Sequence, residues 1–266
     1  MLSCYPELPG ATELHALTPI AIHVEVITSG NLDVPTTIDG RTRGELLPGD
    51  IVRLSPVLAD EGGPVDPESL EINWYVCAPV DIETWLPVDC FETNFLGGPG
   101  LPDCPAGAFV GVPSSCRVGA GAAAEFLFAP PYSVAMAQDL ASVSVTMIAR
   151  DPSLHAESCE ARLSADAGAD ISDCAIQTRR VELGPLGPLI DALDALEYVD
   201  RDDYLDALWS VEPNLNPVVP AFLLRELDSG ETRLVAPRGR VTVAPRQRFS
   251  LEPVIDERDL QPYVLS

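Results

Sequence analysis

Forty-one carboxylates, seven cysteines, three histidines and no lysine are the groups with which this 266-residue chain could do chemistry. Without lysine there is no Schiff base, no Ser-Lys dyad and no P-loop lysine. His15, His23 and His155 lie far apart, and neither a G-x-S-x-G nor an H-E-x-x-H pattern is present. Each histidine therefore reads as a surface residue. GAGAAA, from Gly119, lacks the strand–helix setting and the following acid of a dinucleotide loop. Carboxylate pairs for glycoside hydrolysis are available in number, but number selects no pair. Oxygen ligands for Ca²⁺ are offered by Asp166, Asp170 and Asp173 in DAGADISD, and by Asp200, Asp202 and Asp203 in DRDD. An EF-hand loop counted from Asp200 would need glycine at the sixth position, where Leu205 stands. The plainer reading of both clusters is a solvated acidic loop or helix face. No cofactor is required, and Ca²⁺ is the metal weighed for these acids.

The cysteines speak more clearly. Setting Cys4 aside leaves Cys77, Cys90, Cys104, Cys116, Cys159 and Cys174, which allow three disulfides in 15 connectivities. None forms a C-x-x-C pair, so zinc ribbons and thioredoxin-like sites have no support. Each sits near Gly, Pro, Asp or Ser, where loops are stapled. Pairing sequence neighbours (Cys77–Cys90, Cys104–Cys116, Cys159–Cys174) would close loops of about a dozen residues, each contributing about 2–4 kcal/mol. The competing reading is six reduced thiols in a cytosolic core. Disulfides would place the chain in an oxidising compartment.

The odd cysteine then needs its own explanation. Leu2-Ser3-Cys4 resembles the end of a bacterial lipobox, in which a small residue precedes the cysteine that is cleaved and acylated. The resemblance implies a signal segment upstream of Met1. It also implies an extracytoplasmic lipoprotein anchored through Cys4 to the envelope of a Gram-negative-type bacterium, at the outer membrane. Pro6, Pro9 and Gly10 would keep residues 1–17 an extended tether. No apolar run approaches the roughly 20 residues of a spanning helix, so the lipid would be the one membrane contact. A net charge of −25 repels phosphates and argues against nucleic-acid partners. With 46% hydrophobic residues the chain can still bury a substantial core.

Strands must do the positioning. Residues 20–27 (IAIHVEVI) alternate, with Ile20, Ile22, Val24 and Val26 on one face. Residues 51–59, 70–77, 125–129, 142–150 and 174–183 also read as strands. Residues 156–165 suggest a short helix, and residues 78–123, rich in Pro and Gly, read as irregular. Short strands with turn punctuation predict a β-sandwich over residues 18–185. With Trp74 in the middle of the third strand, as a core residue, the pattern resembles bacterial extracytoplasmic immunoglobulin-like domains.

Leu189, Leu193 and Leu196, then Leu205 and Leu208, recur at helical spacing, so residues 186–213 read as a short helical spacer. An internal repeat follows. TPIAIHVEVI from Thr18 finds an echo in NPVVPAFLLREL from Asn216, and Leu54-Ser-Pro-Val-Leu58 in Leu251-Glu-Pro-Val-Ile255, at offsets of 198 and 197 residues. Residues 214–266 are thus expected to begin a second, incomplete immunoglobulin-like domain. Phe222, Leu224, Val241, Val243, Phe249, Leu251 and Val254 would share its apolar face. Residues 233–248 carry Arg233, Arg238, Arg240, Arg246 and Arg248 and no acid. They suit an anionic polysaccharide or another copy's acidic surface, or else are exposed strands facing water.

The reading is a mainly β, disulfide-stapled surface lipoprotein with a binding or structural role and no catalysis. Its partner would be an envelope protein or polysaccharide, met by Trp85, Phe91 and Phe95 in the long loop. The alternatives are a carboxylate-dependent hydrolase of envelope polysaccharide and a periplasmic assembly factor.

Overall fold

The computed structural model of the chain describes residues 16–61, 63–78, 100–131, 142–166, 168–194, 215–216, 220–236, 241 and 248–254. In chain order the elements are β1 (Thr18–Thr28), β2 (Thr37–Ile38), β3 (Arg41–Thr42), β4 (Asp50–Asp60), β5 (Gly63–Pro64), β6 (Glu71–Cys77), β7 (Ala108–Phe109) and β8 (Ser115–Ala120). There follow β9 (Ala124–Phe128), β10 (Ser142–Arg150), helix α1 (Cys159–Ala165), β11 (Cys174–Glu182) and helix α2 (Leu186–Asp194). The last are β12 (Ala221–Glu226), β13 (Thr232–Val235) and β14 (Phe249–Val254).

Alternation builds two sheets. The first has the order β1-β4-β9-β7, with β5 paired to β4; the second has the order β11-β10-β6-β8. Ile22, Val24 and Val26 from β1, Val52 and Leu54 from β4, and Phe126 and Phe128 from β9 meet Ile72, Trp74, Val76, Val143, Val145 and Met147 of the second sheet in one buried core. Burying side chains of this size is worth about 1.5–3 kcal/mol each, and this sets the register of every strand. Trp74 is fully buried, and its indole N–H donates to the Gly121 carbonyl at 2.9 Å. Pro56, inside β4, is tolerated because β9 pairs only as far as Leu54, so no ladder partner is lost.

Three local expectations need correction. Ile20 does not join the core face: a register shift between Pro19 and Ala21 leaves it 52% exposed. The stretch read as irregular holds β7 and β8. In β8 only Cys116 and Val118 face inward, too few apolar residues for alternation to reveal a strand. Gly119 lets β8 approach β9, since a Cβ there would lie 2.8 Å from that of Ala124. In the small sheet, of order β13-β12-β14, the register puts Phe222, Leu224, Phe249 and Leu251 on one face, but Val254 opposes Ala221 on the other. Leu251 and Val254 are both exposed.

Helix α2 starts where the spacer was expected, and its Leu189 is buried within the main core. Residues 195–214 lie outside the described residues, as do Val243 and the other half of the expected helical stretch. Residues 215–216 then run beside the end of β3: Leu215 bridges to Arg43, and the Asn216 N–H donates to the Thr42 carbonyl at 2.8 Å.

One polar knot lies wholly inside. Arg43 and Asp50 are both 0% exposed and pair at 2.9 and 3.0 Å. Asp50 also accepts from the backbone N–H groups of Leu47 at 2.7 Å and Gly30 at 2.9 Å. Arg43 reaches the carbonyls of Glu45 and Gly184 at 3.3 Å. Gly30 is required here because a Cβ would stand 2.3 Å from the Gly49 backbone. The knot gathers Gly30, the start of β4 and the segment just after β11.

Candidate functional site

The second sheet has an outer face of a different character. Period-two alternation sends Ile72, Trp74 and Val76 inward, and therefore Asn73 and Tyr75 outward. Arg117 faces outward from β8 beside them. Over this face lies α1, begun by Ser158, whose hydroxyl accepts from the Ala161 N–H at 3.1 Å. Tyr75, Ile148, Cys159 and Leu163 form a small second core beneath the helix.

Two disulfides close the loops that reach this face: Cys104–Cys116 and Cys159–Cys174. Each has an arginine–aspartate pair beside it. Arg117 Nε donates to Asp103 at 2.6 Å, and these residues directly follow Cys116 and precede Cys104. Arg162 donates to both carboxylate oxygens of Asp173 at 2.8 and 2.9 Å, and lies 3.0 Å from Cys174 Sγ. The covalent staple and the ionic one therefore hold the same two loop ends.

A polar chain links the two stapled loops. Glu160 Oε1 accepts from Asn73 Nδ2 at 2.8 Å and from the Tyr75 hydroxyl at 2.9 Å. Arg117 Nη1 reaches Asn73 Oδ1 at 3.4 Å and so connects this group to Asp103. Burial first, and the Glu160 charge second, push the Tyr75 phenol far above its ordinary value, so it remains a donor. The hydrogen bond from Arg117 holds the Asp103 carboxyl below the usual range, and that from Arg162 does the same for Asp173. The result is a polar network in which Asp103, Glu160 and Asp173 of the two stapled loops each meet an arginine or a side-chain donor. These contacts tie the two stapled loops to the outer face of the second sheet.

The residues named from the sequence distribute unevenly over it. Asp166, Asp170 and Asp173 are not brought together as oxygen ligands. Asp173 is engaged by Arg162, a cation already in place; Asp166 accepts from the Gly168 N–H and Asp170 from that of Ser172. Among the described residues no group of three or more His, Cys, Asp or Glu is placed to hold a metal ion. Arg248 of the basic stretch pairs with Asp228 at 2.6 Å, while Arg233 is exposed on β13. His23 lies 4.0 Å from Glu25, and His155 lies 3.9 Å from Asp173. Cys77 is also disulfide-bonded. Cys4, Cys90, His15, Trp85, Phe91, Phe95, Asp200, Asp202, Asp203, Arg238, Arg240 and Arg246 lie outside the described residues.

Sequence reasoning missed Asn73, Tyr75, Glu160, Arg117 and Arg162. The signal that could have found some of them is positional: Asp103, Arg117, Glu160 and Asp173 each adjoin a cysteine. Among the described residues no helix is long and apolar enough to cross a membrane. Compared with known proteins, the chain is matched by no family model, no curated protein and no solved structure.

Proposed function

We propose that this chain is a non-catalytic binding or structural module of the bacterial cell envelope, held there by lipid on Cys4 and built on a sandwich of immunoglobulin-like topology. The observation that carries the reading is the outer face of the second sheet, where two loops are each closed by a disulfide and again by an arginine–aspartate pair. Such staples persist outside the cytosol. They also spare a loop the entropy of being ordered when a partner binds.

The strand orders support the topology. Taking β1, β4, β6, β9, β10 and β11 as strands A, B, C, E, F and G gives an A-B-E sheet facing a G-F-C sheet, with β8 added beyond C and Trp74 at the centre of C. The long loop after β6, with Trp85, Phe91 and Phe95, would then present the contact residues. The partner would be an envelope protein or polysaccharide.

Two experiments on cells producing the full chain test the reading. Labelled palmitate should enter the wild type and not Cys4→Ala, and protease added to intact cells should cleave the chain. Purified chain should co-sediment with isolated envelopes, and lose that property after reduction and alkylation. A protease-protected, unlabelled chain in the cytosolic fraction would overturn the placement. Equal sedimentation of oxidised and reduced chain would overturn the role given to the stapled loops.

A further inference from the structure

Among the described residues β1 is the outermost strand of the first sheet. Its backbone groups at Ile22, Val24 and Val26 point away from β4. This follows from the register: Ile22 opposes Pro56, which has no N–H, so the two form a non-hydrogen-bonded pair, and period two extends the rule to Val24 and Val26. Three of these outward groups are taken, each by a different part of the chain. Arg179 Nη1, from β11 of the opposite sheet, donates to the Ile22 carbonyl at 2.7 Å. Asn216 Nδ2 divides its hydrogens between the Val24 carbonyl and Thr42 Oγ1, both at 3.0 Å. The Val26 N–H donates to the Arg43 carbonyl at 3.4 Å.

None of these is a strand pairing with β1. Arg179 sits among inward-facing positions of β11, between Gln177 and the buried Val181, and is half-buried there. Desolvation lowers its pKa, so its place carries a cost that a surface arginine would avoid. Inward-pointing charges and polar plugs of this kind blunt the edges of natural sheets.

We infer that Arg179 and Asn216 are guards of the β1 edge, which without them would pair with β1 of a second copy of this chain. The occupant follows from β1 itself. It is 11 residues long (TPIAIHVEVIT), and the run after Pro19, Ile20 to Thr28, is rich in β-branched residues, free of Lys and Arg, and has Glu25 as its one acid, the composition of a segment that pairs with its own kind. Antiparallel β1 against β1 is also self-complementary about a two-fold axis. Asn216 has a second consequence. Because it ties the chain to β1 and β3 only five residues before β12 begins at Ala221, the guard is also the anchor from which the small sheet departs.

Copies carrying −25 each repel one another, so the test belongs at about 1 M salt, where the screening length is about 3 Å. The mass in solution of wild type and of Arg179→Ala/Asn216→Ala, full chain in each case, is measured together with amide exchange across β1. The wild type is expected at 28.4 kDa. The double variant should move toward twice that mass, with slowed exchange at Ile22 and Val24. A folded double variant that stays monomeric overturns the inference, as does a dimer whose β1 amides exchange no more slowly, or a wild type already paired through β1. Should the double variant not fold, Asn216→Asp carries the same test, because it keeps the shape while turning the donor into an acceptor facing the Val24 carbonyl.

Discussion

Replacing Asp50 by alanine should be among the most damaging single changes available to the first sheet. The substitution leaves the Arg43 guanidinium fully buried with no counter-charge, and strips the Leu47 and Gly30 N–H groups of their acceptor. Removing one partner of a buried ion pair costs about 3–5 kcal/mol. Each orphaned N–H adds up to about 1–3 kcal/mol, less whatever water recovers. We take about 4 kcal/mol as the expected loss, a large share of the roughly 5–15 kcal/mol that holds a domain together. Urea unfolding followed by tryptophan fluorescence and circular dichroism measures it. With a slope of about 2 kcal/mol/M, the midpoint should fall by about 2 M at unchanged slope. Arg43→Met/Asp50→Leu should recover part of the loss, because the unpaired charge is gone while the two N–H groups remain orphaned. A loss below about 1 kcal/mol in Asp50→Ala would refute the reasoning, as would a double variant less stable than the single one.

Two further outcomes follow from the stapled face. Arg162 depresses the Asp173 pKa in the folded chain, so the stabilisation is complete above the unfolded carboxylate value near 4 and is lost as pH falls through the lower folded value. Asp173→Asn should therefore cost about 2 kcal/mol at neutral pH, and the gap to wild type should close below about pH 4; a gap independent of pH in acid denaturation would contradict this. Glu160→Ala removes the acceptor shared by Asn73 and the buried Tyr75 hydroxyl and should cost about 1–3 kcal/mol in the same urea assay, with Glu160→Gln recovering part because it keeps one acceptor oxygen; an unchanged midpoint in Glu160→Ala would show the polar chain to be idle.

Much of this architecture was legible because burial writes a period-two pattern: Ile22, Val24 and Val26, or Val143, Val145 and Met147, could face only one way. The loop staples Cys104–Cys116 and Cys159–Cys174 were legible from the even count of six and the turn residues around each. Strand β8 was hidden because Arg117 and Gly119 interrupt its two inward residues. Ile20 was misplaced because a bulge leaves no mark in alternation. The pairs Arg43–Asp50 and Arg162–Asp173 join residues 7 and 11 apart, and Arg179 reaches across 157 residues to Ile22. Such partnerships are set by tertiary packing, and an acidic chain offers too many carboxylates for sequence to choose among. Likewise, the spacing of Asp166, Asp170 and Asp173 says nothing of the arginine that engages one of them.

The central claim is that a doubly stapled face forms outside the cytosol, and the cysteine pairing in the chain as its own cells make it tests this most directly. Alkylation of the protein in denaturant, followed by peptide mapping without reduction, should yield linked peptides for Cys104–Cys116 and Cys159–Cys174 and no alkylated thiol at those four positions. Free, alkylated cysteines there in freshly isolated chain would contradict the account.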